Sequence, residues 1–501
     1  MNLYSMLDDA IRRFGGRTAI AYGDRSMSFS GLDQYASKLG DHLAALGCQP
    51  GDRVLLFLKN SFEYPVLLLA PMRAGLVSVP VNAKLHPREV AYICSNSEPR
   101  VVFTEREHIE AIRDALPDGP EPVFVAVEDL DLDALPDRHS PAADVDPDAP
   151  AWLFYTSGTT GRPKGAVLSH RNLIAATINC LCDIFDFRAS DVALHVAPLS
   201  HGSGLYLIPS LVRGAENIIS DRAGFKPDEV LDIVAERGIT VFAFLAPTMI
   251  VRLLDAKPRD DLAGLRGAIY GGASIHLEHI RAAVARFGPI FSQLYGQGEA
   301  PMTISGLPAP DHLSDDDELL RSAGYVRAGV EVRIVDPDGK SVADGEEGEI
   351  AVRGDVVMKG YWRNPEATAK TIRNGWLTTG DMGRFDAKGR LHILDRKHDT
   401  IISGGTNIYP KEVEDAIASH PGVGEVIAFG LPDREWGESV AVAVVRAPDH
   451  PGLGEGDILD HCRESLAAFK KPKRVVFLDA LPTSAYGKVL RRELRETFAS
   501  R

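Results

Sequence analysis

Apolar positions recur in two alternating periods through the first hundred residues. In SFSGLDQYASKLGDHLAALG, Leu32, Tyr35, Leu39, Leu43 and Leu46 fall on one face of a helix, with Ser30 as its N-cap and Gly47 as its stop. RVLLFL, from Arg53 to Leu58, is an apolar run of strand length. A second apolar helix, the strand VSVPV and the strand VVF follow, with Gly and Pro between them. Helix and strand alternating across short connections predict an α/β layered fold around a largely parallel sheet. The same texture returns in ITVFAFLAP and LRGAIYGGAS.

The pattern changes three times further on. Between about Pro136 and Ala151 the chain turns to Pro, Asp and Ala, which predicts a surface connection. From Val326 to Arg353 it breaks into short β-rich pieces, VEVRIVDPDGK and GEIAVRG, expected to form a small β-barrel-like subdomain. From about Asp399 the tail has its own plan: a helix from Pro410 carrying Val413 and Ile417, strands in VGEVIAFG and SVAVAVV, a helix in ILDHCRESLAAF, a strand in RVVFL and a last helix in KVLRRELRE. About a hundred residues of mixed α and β are enough for a compact domain.

A chain of 501 residues calls for two or more domains. A net charge of −15 argues against a general nucleic-acid binder, which needs a basic face, but leaves room for a nucleotide at a local positive cluster. Cys48, Cys94, Cys180, Cys182 and Cys462 have neither disulfide-framework nor zinc spacing. The start, MNLYSMLDDAIRRFGG, lacks the basic-then-apolar form of a secretory signal, and the apolar stretch Val66 to Val81 is interrupted by Arg73 and two prolines. No transmembrane segment is expected, and the cytoplasm is the expected location.

One stretch stands apart, YTSGTTGRPKG from Tyr155 to Gly165. Its three glycines favour a loop whose backbone comes close to something. The hydroxyls of Thr156, Ser157, Thr159 and Thr160 and the ammonium of Lys164 suit a polyphosphate. It is not a Walker A, because position 163 is proline and Lys164 is followed by Gly165.

This stretch resembles the phosphate-binding signature of the adenylate-forming superfamily, which includes acyl-CoA synthetases, nonribosomal-peptide adenylation domains and luciferases. LYGQGEA (Leu294 to Ala300), TGD (Thr379 to Asp381), DRKHDTIISGGTNIYPKEVE (Asp395 to Glu414) and PTSAYGKVLRREL (Pro482 to Leu494) follow in that superfamily's order and spacing. The resemblance implies an N-terminal adenylation core over 1–394, a hinge over 395–398 and a mobile α+β C-terminal domain over 399–501. It also implies ATP and Mg²⁺ as cofactors, coenzyme A as co-substrate and a small carboxylic acid as partner, with a homodimer as one compatible assembly.

The resemblance extends to single residues. It implies that Thr156, Ser157, Gly158, Thr159, Thr160, Gly161 and Lys164 hold the ATP phosphates, and that Glu299, helped by Thr156, holds magnesium. Gly272, Ala273, Ser274, Tyr295 and Gly296 match the adenine pocket, and Asp381 and Arg396 the ribose contacts. Lys488 matches the lysine that bridges carboxylate and α-phosphate during adenylation, where two anions must be brought together. Ser403, Gly404 and Gly405 match the segment that admits the pantetheine arm of coenzyme A once the C-terminal domain has turned about the hinge position, His398. His201, in PLSHGSGLY, matches the residue that gates the acyl pocket or orients the carboxylate.

Two positions depart from the superfamily's pattern. Gly298 stands where threonine usually precedes the magnesium glutamate, which removes a hydroxyl donor. His398 stands where aspartate or lysine is common, and a histidine there would make domain alternation sensitive to pH near neutrality. Gly296 replaces the tryptophan that closes the pocket of acetate-specific members, so a deeper pocket for a medium or long fatty acid or an aryl acid is expected. No aspartate stands near His201 to pair an amino acid's amine. The expected reaction is formation of acyl-CoA, AMP and pyrophosphate; the alternatives are loading of a carrier protein's pantetheine in trans and a non-catalytic nucleotide-binding scaffold.

Overall fold

A computed structural model of the chain describes residues 1–137, 139–156, 163–259, 261–403, 406–434, 436–467, 470–483 and 489–499. It divides into two compact units. One comprises Met1–Ile275, His279–Val332 and Val352–Leu377; the other comprises His276–Glu278, Arg333–Ala351 and Thr378–Arg501.

The first unit is built on two sheets. In the larger, the strands Phe291–Gln297, Gly267–Gly271, Val241–Leu245, Val192–His195, Glu216–Ile219 and Thr18–Tyr22 lie side by side and parallel. Antiparallel strands flank them at both edges. Every residue of Val241–Leu245 is buried, which is why the stretch reads as a continuous apolar run: helices cover both faces of a parallel sheet. The smaller sheet runs Val123–Ala126, Pro99–Thr104, Arg53–Phe57, Val77–Val81 and Pro150–Thr156, all parallel, and ends in the antiparallel Lys164–Ser169.

The first amphipathic helix covers Phe29–Ala45. Its N-cap is Ser28, whose hydroxyl accepts from the Gly31 amide at 3.0 Å, and not Ser30. Phe29 is buried and opens the helix one residue after the cap, so the serine before it takes the capping position. The helix closes at Leu46, and Gly47 follows with φ of +89°.

The C-terminal sheet of the second unit shows why its strands carry so many consecutive apolar residues. Val423–Asp433 and Gly437–Arg446 pair antiparallel, and Arg474–Phe477 adds parallel to the latter. On one face Val426, Ala428, Val440, Val442 and Val444 pack with Val413 and Ile417 of the helix Pro410–Ala418 and Ile458 of Glu455–Ser465. On the other, Ile427, Phe429, Ala441 and Ala443 pack with Leu494 and Phe498 of the helix Arg491–Ala499. Side chains alternate across a strand, so burying both faces turns alternation into an unbroken run. Each large side chain buried this way contributes roughly 1.5–3 kcal/mol. The last helix begins at Arg491, later than its sequence periodicity places it.

Candidate active site

The glycine-threonine stretch is flanked by strands more closely than its composition suggests. Pro150–Thr156 and Lys164–Ser169 form an antiparallel pair in which Tyr155 faces Gly165 and Thr156 faces Lys164. A β-carbon on Gly165 would stand 3.0 Å from the Tyr155 ring, so this glycine accommodates a neighbouring aromatic side chain rather than a ligand. The Tyr155 hydroxyl donates to Asn96 at 2.5 Å. Ser157, Gly158, Thr159, Thr160 and Gly161 lie outside the described residues.

Glu299 occupies a two-residue turn between Phe291–Gln297 and Ala300–Leu307, where Gln297 pairs with Ala300. Its Oε1 accepts from the Tyr361 hydroxyl at 2.8 Å and from Thr156 Oγ1 at 3.3 Å. The Lys164 ammonium lies 4.6 Å from the centre of the Tyr361 ring. One aromatic residue therefore joins the glutamate, threonine and lysine into a single cluster. Tyr361 escaped the sequence reading; its only local signal is an aromatic pair between Gly360 and Pro365. The segment from Lys359 to Trp362 hydrogen-bonds along Lys164–Ser169, which carries the tyrosine to the glutamate.

Gly298 is small for a steric reason. A β-carbon there would stand 2.6 Å from both Phe154 Cδ1 and Thr156 Cγ2. The hydroxyl that a threonine would supply is thus replaced by packing that fixes Thr156 beside Glu299. Gly296 lies in the strand Phe291–Gln297. The place of its missing side chain is filled by the Met302 backbone, with Cα 2.3 Å from the would-be β-carbon. Met302 itself has φ of +55°, a left-handed conformation uncommon for its residue type.

The acyl and adenine candidates collect beyond the carboxyl ends of neighbouring parallel strands, where open α/β sheets bind ligands. His201 precedes the helix Gly202–Val212; its Nδ1 is 2.9 Å from Ser200 Oγ, and its ring meets Phe154 edge-on at 5.3 Å. A β-carbon on Gly202 would stand 2.7 Å from Met302 Cε and 2.9 Å from Phe244 Cε1. Phe244 stacks on Tyr206 at 6.1 Å and approaches Gly272, which has φ of +86°. Ala273 and Ser274 are exposed just past the strand Gly267–Gly271, and Tyr295 is buried in the adjacent strand. An apolar crevice of about 20 Å³, room for about one water, lies among Leu173, Cys180, Tyr206 and Met302.

Behind this surface lies a polar anchor that the sequence did not reveal. His195 is fully buried, and burial lowers it to about 4, so the ring is neutral. Asn217 Oδ1 lies 3.0 Å from Nε2 and can only accept, which places the ring proton there. Nδ1 then accepts from Ser203 Oγ at 2.8 Å, tying the first turn of the His201 helix to the sheet.

In the second unit, Asp381 of Trp376–Phe385 and Arg396 of Leu391–Arg396 are direct cross-strand partners. Arg396 Nε lies 2.9 Å from Asp381 Oδ1; the aspartate side chain is 5% exposed and the arginine 39%. His398 is exposed, with Nε2 3.7 Å from Asp399 Oδ1. Ser403 ends the strand Ile401–Ser403, opposite Thr406. Gly404, Gly405 and Lys488 lie outside the described residues.

Comparison with known proteins matches two successive stretches of the chain to one class of enzyme. The profile described as AMP-binding enzyme matches residues 7–362, and that described as AMP-binding enzyme C-terminal domain matches residues 412–488. The chain belongs to this family of adenylate-forming enzymes. It is 38% identical to a feruloyl-CoA synthase of Amycolatopsis, covering 96% of each chain. It is 34% identical to the medium/long-chain-fatty-acid–CoA ligase FadD8 of Mycobacterium tuberculosis, over 98% of this chain and 89% of that one. Its fold matches ATP-bound MatB from Rhodopseudomonas palustris with a TM-score of 0.91, 33% identity and 99% coverage of both.

Proposed function

We propose that this enzyme activates a medium- or long-chain fatty acid or an aryl acid with ATP, then transfers the acyl group to coenzyme A, releasing AMP and pyrophosphate. The observation that carries this reading is the meeting of Thr156, Glu299 and Lys164 at Tyr361. Two hard oxygen donors beside a cation suit a triphosphate and its metal. Among the described residues no group of three or more His, Cys, Asp or Glu could hold a metal alone. Mg²⁺ fits as an ion carried largely by phosphate and water, with Glu299 and Thr156 as its protein ligands. When bound it neutralises charge on the phosphates.

The chain's own groups take distinct parts. Lys164 and the Ser157–Gly161 loop hold the β- and γ-phosphates as pyrophosphate forms. Asp381 accepts from the ribose hydroxyls, with Arg396 reaching the same sugar, and the backbone from Gly272 to Ser274 and the ring of Tyr295 flank the base. His201 orients the carboxylate at the pocket mouth. Lys488 neutralises the two reacting anions in the first step. Rotation about His398 then withdraws it and brings Ser403, Gly404 and Gly405 to the pantetheine. The domain limits that serve this cycle are 1–394 and 399–501.

The test supplies ATP, Mg²⁺ and a panel of carboxylic acids and follows pyrophosphate and AMP with and without coenzyme A. Pyrophosphate release that requires a fatty or aryl acid, with AMP turnover that requires coenzyme A, is the expected result. AMP turnover only with a pantetheinylated carrier protein would replace the acceptor, and no acid-dependent release would reject the reading. Gly298→Thr should lower kcat/KM for pyrophosphate release about 10-fold, because the added side chain displaces Phe154 and Thr156. An unchanged rate would show that Phe154 yields without moving the threonine.

A further inference from the structure

One strand of the first unit presents three side chains to the candidate site. The pairing of Pro150–Thr156 with Lys164–Ser169 runs without a break from Trp152 to Thr156. Side chains alternate along a strand, so Trp152, Phe154 and Thr156 share one face in steps of roughly 6.5 Å, while Tyr155 turns away to Asn96. Each of the three meets a different part of the site. Trp152 is fully buried, and its Cη2 would stand 3.2 Å from a β-carbon on Gly204, in the first turn of the helix that follows His201. The Phe154 ring centre lies 5.3 Å from that of His201, with the ring planes at 79°. Thr156 Oγ1 lies 3.3 Å from Glu299 Oε1.

Phe154 is the member of this row that packs in both directions. A β-carbon on Gly298 would meet Phe154 Cδ1 and Thr156 Cγ2 at the same 2.6 Å, so the turn beside Glu299 rests on both side chains. The segment carrying His201 is held from another direction. Asn60 Oδ1 accepts from the Leu199 amide at 2.9 Å, and Asn60 Nδ2 donates to the Ala197 carbonyl at 3.1 Å. The Phe154 ring therefore lies between a tied histidine segment and the glutamate turn. It is only 9% exposed, and it stacks on Trp152 with centres 6.1 Å apart and planes at 29°.

We infer that Phe154 is a positioning residue for both substrates: its ring is a spacer that sets the distance between His201 and the Thr156–Glu299 pair. The inference rests on the proposed roles of those three residues, the first toward the carboxylate and the others toward the metal and its phosphates. Adenylation joins a carboxylate oxygen to the α-phosphate, and a misplacement of about 1 Å between reacting groups is enough to slow such a step strongly. A flat, rigid ring packed against both surfaces fixes their separation through its neighbours.

The test follows pyrophosphate release by the full-length enzyme, using the acid of the panel with the highest kcat/KM. It reads KM for that acid and the apparent Mg²⁺ affinity at fixed ATP. Phe154→Leu should raise KM for the acid about 10-fold and weaken Mg²⁺ about 5-fold. Double variants should separate the two effects. In a His201→Ala background, Phe154→Leu should add nothing to the acid KM and still weaken Mg²⁺. In a Thr156→Val background it should add nothing to the Mg²⁺ effect and still raise the acid KM. Combined with Gly298→Thr, Phe154→Leu should return kcat/KM to within about 3-fold of the parent, because the smaller side chain makes room for the threonine. If Phe154→Leu melts below the assay temperature, Phe154→Met carries the same measurements. A shift in only one of the two constants, or effects that add in full to those of both His201→Ala and Thr156→Val, would overturn the inference. If His201→Ala leaves the acid KM unchanged, or Thr156→Val the Mg²⁺ affinity, the underlying reading of that residue fails. If both constants move in those variants while Phe154→Leu and Phe154→Met alter neither, only the spacer fails.

Discussion

Lys488→Ala is expected to slow acid-dependent pyrophosphate release by about 100–1,000-fold, the loss typical of removing one donor aimed at developing charge. The first step presses a carboxylate against the α-phosphate of a polyanion. A single ammonium between them lowers the repulsion where the new bond forms, and no compact neutral side chain can replace it. The second step has a different charge problem, since the adenylate already carries an activated acyl group and the attacking group is a thiol. Thioester formation from supplied acyl-adenylate should accordingly stay within about 3-fold of the parent rate. Equal losses in both steps would show that the lysine supports the fold or both chemistries alike.

Glu299→Gln should have the next largest effect, a fall of about 100-fold in kcat/KM for ATP. The amide keeps the shape and one carbonyl acceptor for Tyr361 and Thr156, which now bond to Oε1 at 2.8 and 3.3 Å. What it loses is negative charge at the place proposed for the metal. The apparent affinity for Mg²⁺, titrated at fixed ATP, should weaken in parallel, and the melting temperature of the ligand-free protein should barely move. An unchanged Mg²⁺ titration would assign the glutamate to holding Tyr361 and Lys164 in place. Tyr361→Phe separates the two roles, because it removes only the hydroxyl that orients the carboxylate.

Much of the architecture was legible because burial on both faces of a sheet writes itself as uninterrupted apolar runs. Val241–Leu245 is such a run and forms a strand, and Val440–Val445 is another within the strand Gly437–Arg446. Of the candidate site, the chain order names Glu299, Asp381 and Arg396 but not that the first stands in a two-residue turn or that the other two pair across strands. What stayed hidden depends on contacts between residues distant in sequence. Ser28 caps the first helix in place of Ser30 because Phe29 is drawn into the core. Gly165 reads as a ligand-facing glycine until Tyr155 is seen across from it. Gly298 is visible as a departure, but its cause, Phe154, lies more than a hundred residues away. Tyr361 could be found only once the strand beside it had formed, because nothing near it in the chain names Glu299 as its partner.

The left-handed residue opposite Gly296 bears on how this enzyme could acquire a new acid preference. Its main chain stands 2.3 Å from where a β-carbon on Gly296 would lie, so enlarging position 296 would deform the hairpin before it narrowed any tunnel. The thioether of Met302, which lies over Gly202, is unbranched and easily reshaped, and it touches the aromatic floor without disturbing the backbone. A library seeking shorter or bulkier acids would therefore gain more from randomising 302 than 296.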